Sequence, residues 1–280
     1  TKAKVEDLKS NNRLPKIAMF GGSVFLFPHP VKELADFLKG HNMHINYDAA
    51  HVAGLIAGGK FQDPLREGTD TMTMSTHKTL FGPQGGLVLG FDRHEEPIKK
   101  AMFPGLTSSH HIHHMAGKAV AFAEALEFGK DYAAQTINNA KALAAELNNI
   151  GFKVLGEKRG YTESHQTVVN VLDYGDGGTI EADLEKANII VNRQLIPGDL
   201  KANRHYMHPG GIRLGTSEIT RLGMKESEMK EIASMIKDVV IDKKEPGEMT
   251  AKIAEFRKEF QKTQYCFDNK VGAYEYIKLR

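Results

Sequence analysis

Residues 16 to 48 alternate between two strand patterns and a helix pattern, and this rhythm limits the folds open to the chain more than any other feature. The short apolar run 16–20 leads into Gly21-Gly22-Ser23, a turn that lets backbone approach closely. Pro30 is followed by Val31, Leu34, Ala35 and Leu38 at helical spacing, with proline near the first turn. Gly40 and Asn42 stop that helix, and Met43, Ile45 and Tyr47 then alternate up to Asp48 as in a strand. Strand, helix, strand in succession favours a mainly parallel sheet. A second alternation, Met72 and Met74 against Thr71 and Thr73, predicts a strand over 69–74 that ends at Ser75-Thr76-His77-Lys78-Thr79. A tight turn over 79–86 and a strand over 87–91 should follow. A parallel crossover needs a dozen or more residues, so that last pair should be antiparallel and the sheet mixed.

The rest of the chain is read more coarsely. Residues 3–12 look like the end of a surface helix, 61–68 like a loop, and 103–114 like an irregular loop. Ala119, Phe122, Ala123, Leu126, Ile137, Ala140, Leu143, Ala144 and Leu147 keep helical spacing, and Gly151 stops the run. Beyond it the rhythm changes, with strands over 152–155, 167–172, 189–191 and 211–215 and a helix over 181–187. Met229, Ile232, Ala233, Ile236, Val239 and Val240 line one face of a further helix, and 254–262 reads as a charged, solvated one. The expected organisation is an α/β domain over 1–130 and a smaller α+β domain over 131–280.

With 280 residues, 41% hydrophobic and 26% charged, the composition is that of an ordinary globular chain. A net charge of +2 argues against a nucleic-acid footprint or a membrane-binding face. No apolar run is long enough for a transmembrane helix. The single Cys266 cannot form an intrachain disulfide, which favours a reducing, cytoplasmic setting. The opening residues lack an initiator Met and read as the middle of a helix, so the chain is expected to begin inside a larger protein.

The chemistry should sit where the strands end. In open α/β sheets ligands bind at the carboxyl edge. There the sequence places an acid, two imidazoles and one amine: Asp48, His51, His77 and Lys78. A lysine is most often a solvated surface charge. Lys78, however, follows a strand, is flanked by hydroxyls and precedes Gly82-Pro83-Gln84-Gly85-Gly86. Such a setting suits an amine that forms a Schiff base with an aldehyde cofactor. Asp48 alone could be a helix N-cap; beside such a cofactor it would hold a pyridine proton. His51, one turn on, could stack on the ring or be a core histidine. The run His110-His111-Ile112-His113-His114 invites a metal reading, but adjacent histidines diverge and no cysteine pair supports them, so no metal site is expected.

The segments Asp48-Ala49-Ala50-His51-Val52-Ala53-Gly54-Leu55 and Ser75-Thr76-His77-Lys78-Thr79-Leu80, with Gly82-Pro83-Gln84-Gly85-Gly86, closely resemble serine hydroxymethyltransferase. Gly22-Ser23, Phe103-Pro104-Gly105, the stretch 116–122 and Gly211-Ile212-Arg213-Leu214-Gly215-Thr216 agree with it in the same order. The resemblance implies an aspartate-aminotransferase-like fold (pyridoxal-phosphate fold type I) and interconversion of serine and glycine, with one-carbon transfer to tetrahydrofolate or a related reduced pterin. It further implies pyridoxal 5'-phosphate bound covalently to Lys78, Asp48 on the pyridine nitrogen and His51 stacked on the ring. Ser23 would lie at the phenolic oxygen and His77 beside the cofactor, where it shapes specificity. Arg213 would hold the substrate carboxylate, for which a planar guanidinium is apt. A homodimer is implied as well. Gln84 stands where many members have arginine, and Leu106-Thr107-Ser108-Ser109-His110-His111 replaces a Gly-rich loop. Together with Gln194 these features look archaeal and admit a methanopterin-type carrier. By the same resemblance the family's N-terminal part precedes residue 1. The alternatives are a threonine-aldolase-like or aminotransferase enzyme, or a catalytically incomplete fragment.

Overall fold

The computed structural model describes residues 1–270 together with Gly272 and Ala273. It divides into two compact units, Thr1–Lys130 and Asp131–Arg280. In the first, α1 (Lys2–Ser10), β1 (Ile17–Gly21), α2 (Val31–Gly40), β2 (His44–Asp48), α3 (Ala53–Ala57) and α4 (Pro64–Glu67) follow in order. Then come β3 (Thr71–His77), β4 (Phe81–Gly90), α5 (Glu95–Lys100) and the start of α6 (Ile112–Asn149). The sheet order is β1-β2-β3-β4. The first three strands are parallel and β4 is antiparallel to β3, as the connection lengths require.

The helical spacing of α2 puts Val31, Leu34, Ala35 and Leu38 on its buried face. Leu34, Ala35 and Leu38 form a core with Val5, Met43 and Ile45, and Ala18 and Phe20 of β1 pack against it. Fully burying one such leucine contributes roughly 1.5–3 kcal/mol.

Three local readings differ from the structure. The segment Gly82-Pro83-Gln84-Gly85-Gly86 is strand, not turn: β3 continues to His77 and β4 starts at Phe81, so the turn is Lys78-Thr79-Leu80. The ladder shifts register between Ser75 and His77, and β4 is the outer strand, so Pro83, with no N–H, is tolerated there. The buried Thr76 hydroxyl donates to the Pro83 carbonyl at 2.8 Å across the irregularity. The loop expected over 61–68 contains the one-turn α4, because Asp63 caps it through the Arg66 N–H and Pro64 opens it. Finally, α6 begins at Ile112, which places His113 and His114 on a helix.

In the second unit the remainder of α6 is followed by β5 (Lys153–Val154), β6 (Gln166–Asn170), α7 (Gly177–Lys186), β7 (Asn192–Gln194) and β8 (Gly211–Gly215). Helices α8 (Ser217–Arg221), α9 (Glu226–Val240) and α10 (Pro246–Arg257) complete it. The sheet is antiparallel, in the order β5-β6-β8-β7. Leu143, Leu147, Ile180, Leu184, Ile212, Met229 and Ile236 belong to one buried core. Gly151, at φ +109°, follows the end of α6 as expected.

The strand expected over 189–191 lies three residues later. Ile190 is 76% exposed, and the register is held instead by Glu181, which accepts from the Arg193 N–H at 3.1 Å and pairs with its side chain. The last helix starts earlier than expected, with Pro246 in its first turn and Met249 and Ile253 buried.

Candidate active site

Parallel pairing sets the strand ends level. Gly21 pairs with Asp48, and Asp48 with Thr73, so β1, β2 and β3 deliver their following residues to one edge of the sheet. Ser23 lies exposed just after β1. Asp48 is the last residue of β2, His77 the last of β3, and Lys78 opens the turn to β4. Asp48 is half-buried; its carboxylate accepts from the Ala50 N–H at 2.9 Å, an Asx-type turn. This replaces the helix cap considered from sequence, since α3 starts only at Ala53.

The Asp48–His51 segment is tied to the lysine turn by Thr79, which is 1% exposed. Its hydroxyl donates to the His51 carbonyl at 2.8 Å and accepts from the Gly54 N–H at 3.0 Å. Gly54 is needed there, because a Cβ at that position would lie 2.1 Å from the Thr79 carbonyl oxygen. Buried Thr76 lies just before the turn and buried Leu80 closes it, with half-buried Lys78 between them. Across the hairpin the His77 Nδ1 accepts from the Gly85 N–H at 3.3 Å.

The Ser23 turn is fixed from behind. Gly21, at φ +91°, sits so close that a Cβ there would be 2.1 Å from the Asp48 carbonyl oxygen. The Gly21 N–H donates to the His29 Nδ1 at 3.1 Å, and the Gly22 N–H to the Asp48 carbonyl at 3.4 Å. His29 is walled by the Phe25 and Tyr47 rings, and burial holds its imidazole below the usual pKa. The Tyr47 hydroxyl is pushed far up, by burial first and then by the nearby carboxylates of Glu67 and Asp48. Both phenol and imidazole are therefore neutral near pH 7.

Arg213 belongs to the second unit, in the middle of β8 opposite Val168 and Asn192. Its Nη2 donates to the Asn192 side chain at 3.0 Å. Burial lowers its pKa, partly offset by Tyr206, yet a guanidinium remains charged throughout the working range. Of the expected site residues, Ser23, Asp48, His51, His77 and Lys78 share the sheet edge of the first unit.

The rings of His111, His113 and His114 lie 4.4–5.4 Å apart, centroid to centroid. Among the described residues no group of three or more His, Cys, Asp or Glu side chains is placed to hold a metal ion. No helix among them is long and apolar enough to cross a membrane.

Residues 3–236 match the family model described as serine hydroxymethyltransferase. The chain belongs to that family. It is similar to the serine hydroxymethyltransferase of Nitrosopumilus maritimus, with 78% identity over 280 residues, and to that of Cenarchaeum symbiosum, with 72% over the same length. Each alignment covers the whole of this chain and 64% of the relative, so the chain spans less than two thirds of their length. Among solved structures it resembles an L-threonine transaldolase from Pseudomonas fluorescens in its internal aldimine state. The TM-score is 0.85 and the identity 34%, over 96% of this chain and 61% of that one. The aspartate-aminotransferase-like α/β fold expected from the motifs is the one observed.

The sequence alone named the groups at the edge of this sheet but missed those that hold them. Thr79 and Gly54 lay inside the quoted motifs without a role; their pattern of small residue and hydroxyl was the available signal. His29 and Gln62 carried none.

Proposed function

We propose that the protein interconverts serine and glycine as a pyridoxal-phosphate-dependent serine hydroxymethyltransferase, passing the one-carbon unit to tetrahydrofolate or a related reduced pterin. The observation that carries this reading is the Thr79 bridge: it fastens the segment bearing Asp48 and His51 to the turn bearing Lys78 at the carboxyl edge of a family-typical sheet. The donor set fits the cofactor chemically, with an amine for its aldehyde, a carboxylate for its pyridinium and backbone packed tightly enough at Gly21 and Gly54 to fix both. When bound, pyridoxal phosphate supplies the electron sink for bond breaking at the amino-acid α-carbon.

The chain's own residues do the rest. Lys78 would carry the cofactor aldehyde on its amine and receive it back after each turnover. Asp48 would hold the proton at the pyridine nitrogen, His51 would stack on the ring, Ser23 would donate to the phenolic oxygen, and His77 would lie beside the cofactor. Arg213 would bind the substrate carboxylate through its fork of N–H donors. A cytoplasmic homodimer is part of the same reading, supported by family membership. Gln84, Gln194 and the Ser108-Ser109 loop support a carrier that is either tetrahydrofolate or methanopterin-type.

The first test is optical. The intact protein with pyridoxal phosphate should absorb near the visible edge, and Lys78→Ala should abolish the band; a band surviving the substitution removes the assignment. The second is pterin dependence. Similarity to a transaldolase favours, as the second reading, an aldol enzyme that needs no pterin. Glycine formation from serine that is indifferent to omission of reduced pterin would decide for that reading.

A further inference from the structure

We infer that His29 and Gln62 are positioning residues of the cofactor site, acting together to hold the Gly21–Ser23 turn against the end of β2. The inference rests on the pyridoxal-phosphate reading above and adds two residues to it that touch neither cofactor nor substrate.

Gln62 is 7% exposed and its amide is fully used. Its Oε1 accepts from the His29 N–H and from the Tyr47 hydroxyl, both at 2.9 Å. Its Nε2 donates to the His29 carbonyl at 2.6 Å and to the Glu67 carboxylate at 2.5 Å. A side-chain amide that pairs with both the N–H and the C=O of one residue fixes that residue's peptide planes as a neighbouring strand would. The residue so fixed is His29, and its Nδ1 in turn accepts from the Gly21 N–H at 3.1 Å.

That bond has a chemical condition. Nδ1 can accept only when it carries no proton, so the working form is the neutral Nε2–H tautomer. The surroundings favour it: Phe25 and Tyr47 rings lie 4.9 and 6.2 Å from the imidazole, centroid to centroid, and burial lowers its pKa. The titratable groups around it are Tyr47 of β2, which stays protonated, Glu67 of α4, two hydrogen bonds away through Gln62, and Asp48 at the end of β2. On α2 the adjacent Lys32 and Glu33 are exposed. Protonation of His29 would make both ring nitrogens donors and set Nδ1–H against Gly21 N–H. The turn carrying Ser23 would then lose the bond from the Gly21 N–H and keep the longer one from the Gly22 N–H to the Asp48 carbonyl, while Asp48 and Lys78 would keep theirs.

The test uses the intact protein. Nitrogen NMR of the imidazoles without cofactor should show His29 at neutral pH with a bare Nδ1 and a protonated Nε2; a protonated Nδ1 overturns the inference before any ligand is added. Pyridoxal-phosphate affinity is then titrated against pH by the near-visible absorbance. Wild type should bind about tenfold more weakly once His29 is protonated, which is the worth of one hydrogen bond. His29→Gln cannot titrate, so it should lack that acid limb while melting within a few degrees of wild type. Superimposable affinity profiles for wild type and His29→Gln overturn the inference. Lys78→Ala separates the two levels: if it keeps the band, the cofactor reading fails whatever His29 does. If it loses the band while the His29→Gln profile matches wild type, only the positioning role fails.

Discussion

From its place in the turn that follows β3, the Thr79 hydroxyl donates to the His51 carbonyl and accepts from the Gly54 N–H, so a single buried side chain joins that turn to the residues that follow β2. Thr79→Val keeps the volume and removes both bonds, leaving the Gly54 N–H and the His51 carbonyl without their partner. An unsatisfied buried group costs about 1–3 kcal/mol. Thr79→Val should therefore lower the unfolding free energy by roughly 2–3 kcal/mol, read from the urea midpoint, whereas Thr79→Ser should recover most of the loss. His29 makes a prediction at the same scale, with a definite sign. Its native pKa lies below the 6.5 of the unfolded chain. Between the two values the unfolded state binds more protons, so stability must fall as pH drops below 6.5 and level off once the native imidazole is protonated too. A urea series in wild type should show this slope, and the same series in His29→Gln should be flatter over that window.

Among the elements, α3 packs onto the lysine turn at Gly54, where an added Cβ would meet the Thr79 carbonyl oxygen at 2.1 Å. Gly54→Ala can be accommodated only by moving the helix or the turn. It should destabilise the protein by about 3 kcal/mol, the upper end for overpacking, and weaken the near-visible band of bound cofactor more than Thr79→Ser does. In the second unit α10 is fastened to α9 by charge: the buried Asp238 carboxylate receives Lys244 at 2.8 Å and Lys252 at 2.9 Å. Burial opposes its ionisation, but the two ammonium groups win and hold its pKa below 3.8. Its contribution is thus complete above pH 3.8 and lost as pH falls through the lower native value. Because both lysines are half-exposed, Lys252→Ala should cost only about 1 kcal/mol near neutrality, and that difference from wild type should shrink in acid. How far these elements were legible in the sequence follows from what each depends on. Met43-Ile45-Tyr47 and Met72-Met74 declare strands because alternation is local, and α2 declares itself by the spacing of four apolar residues. The place of β7 was illegible because Glu181, twelve residues back, sets it through Arg193. The His29–Gln62 pair was illegible because its members lie 33 residues apart and only the fold brings them together.

At the scale of the molecule, each of the two units is built on a four-stranded sheet. The first has its four strands in sequence order, with β1 at one side and β4 at the other, and among the described residues neither outer strand has a further partner. Alternation in β1 sends Ala18 and Phe20 towards the core built on α2, which leaves Ile17 and Met19 on the opposite face, 59% and 66% exposed. At the other side Leu89 and Phe91 are 40% and 42% exposed. An apolar hollow of about 310 Å³ opens between Ile56, Met72, Met74, Leu87 and Phe122, with Leu126 at its rim, 90% exposed. Scattered apolar side chains are ordinary, but an unpaired outer strand beside contiguous apolar surface is a template for association. The protein should therefore bind a hydrophobic dye strongly and self-associate as its concentration rises. Ile17→Lys with Met19→Lys places charge on the open strand without touching the core face. The double substitution should reduce dye binding and raise the concentration at which light scattering sets in, with an unchanged far-ultraviolet spectrum. Equal scattering in the two chains would mean that β1 is not the surface through which the molecules meet, and Leu126→Lys would then report on the hollow at α6.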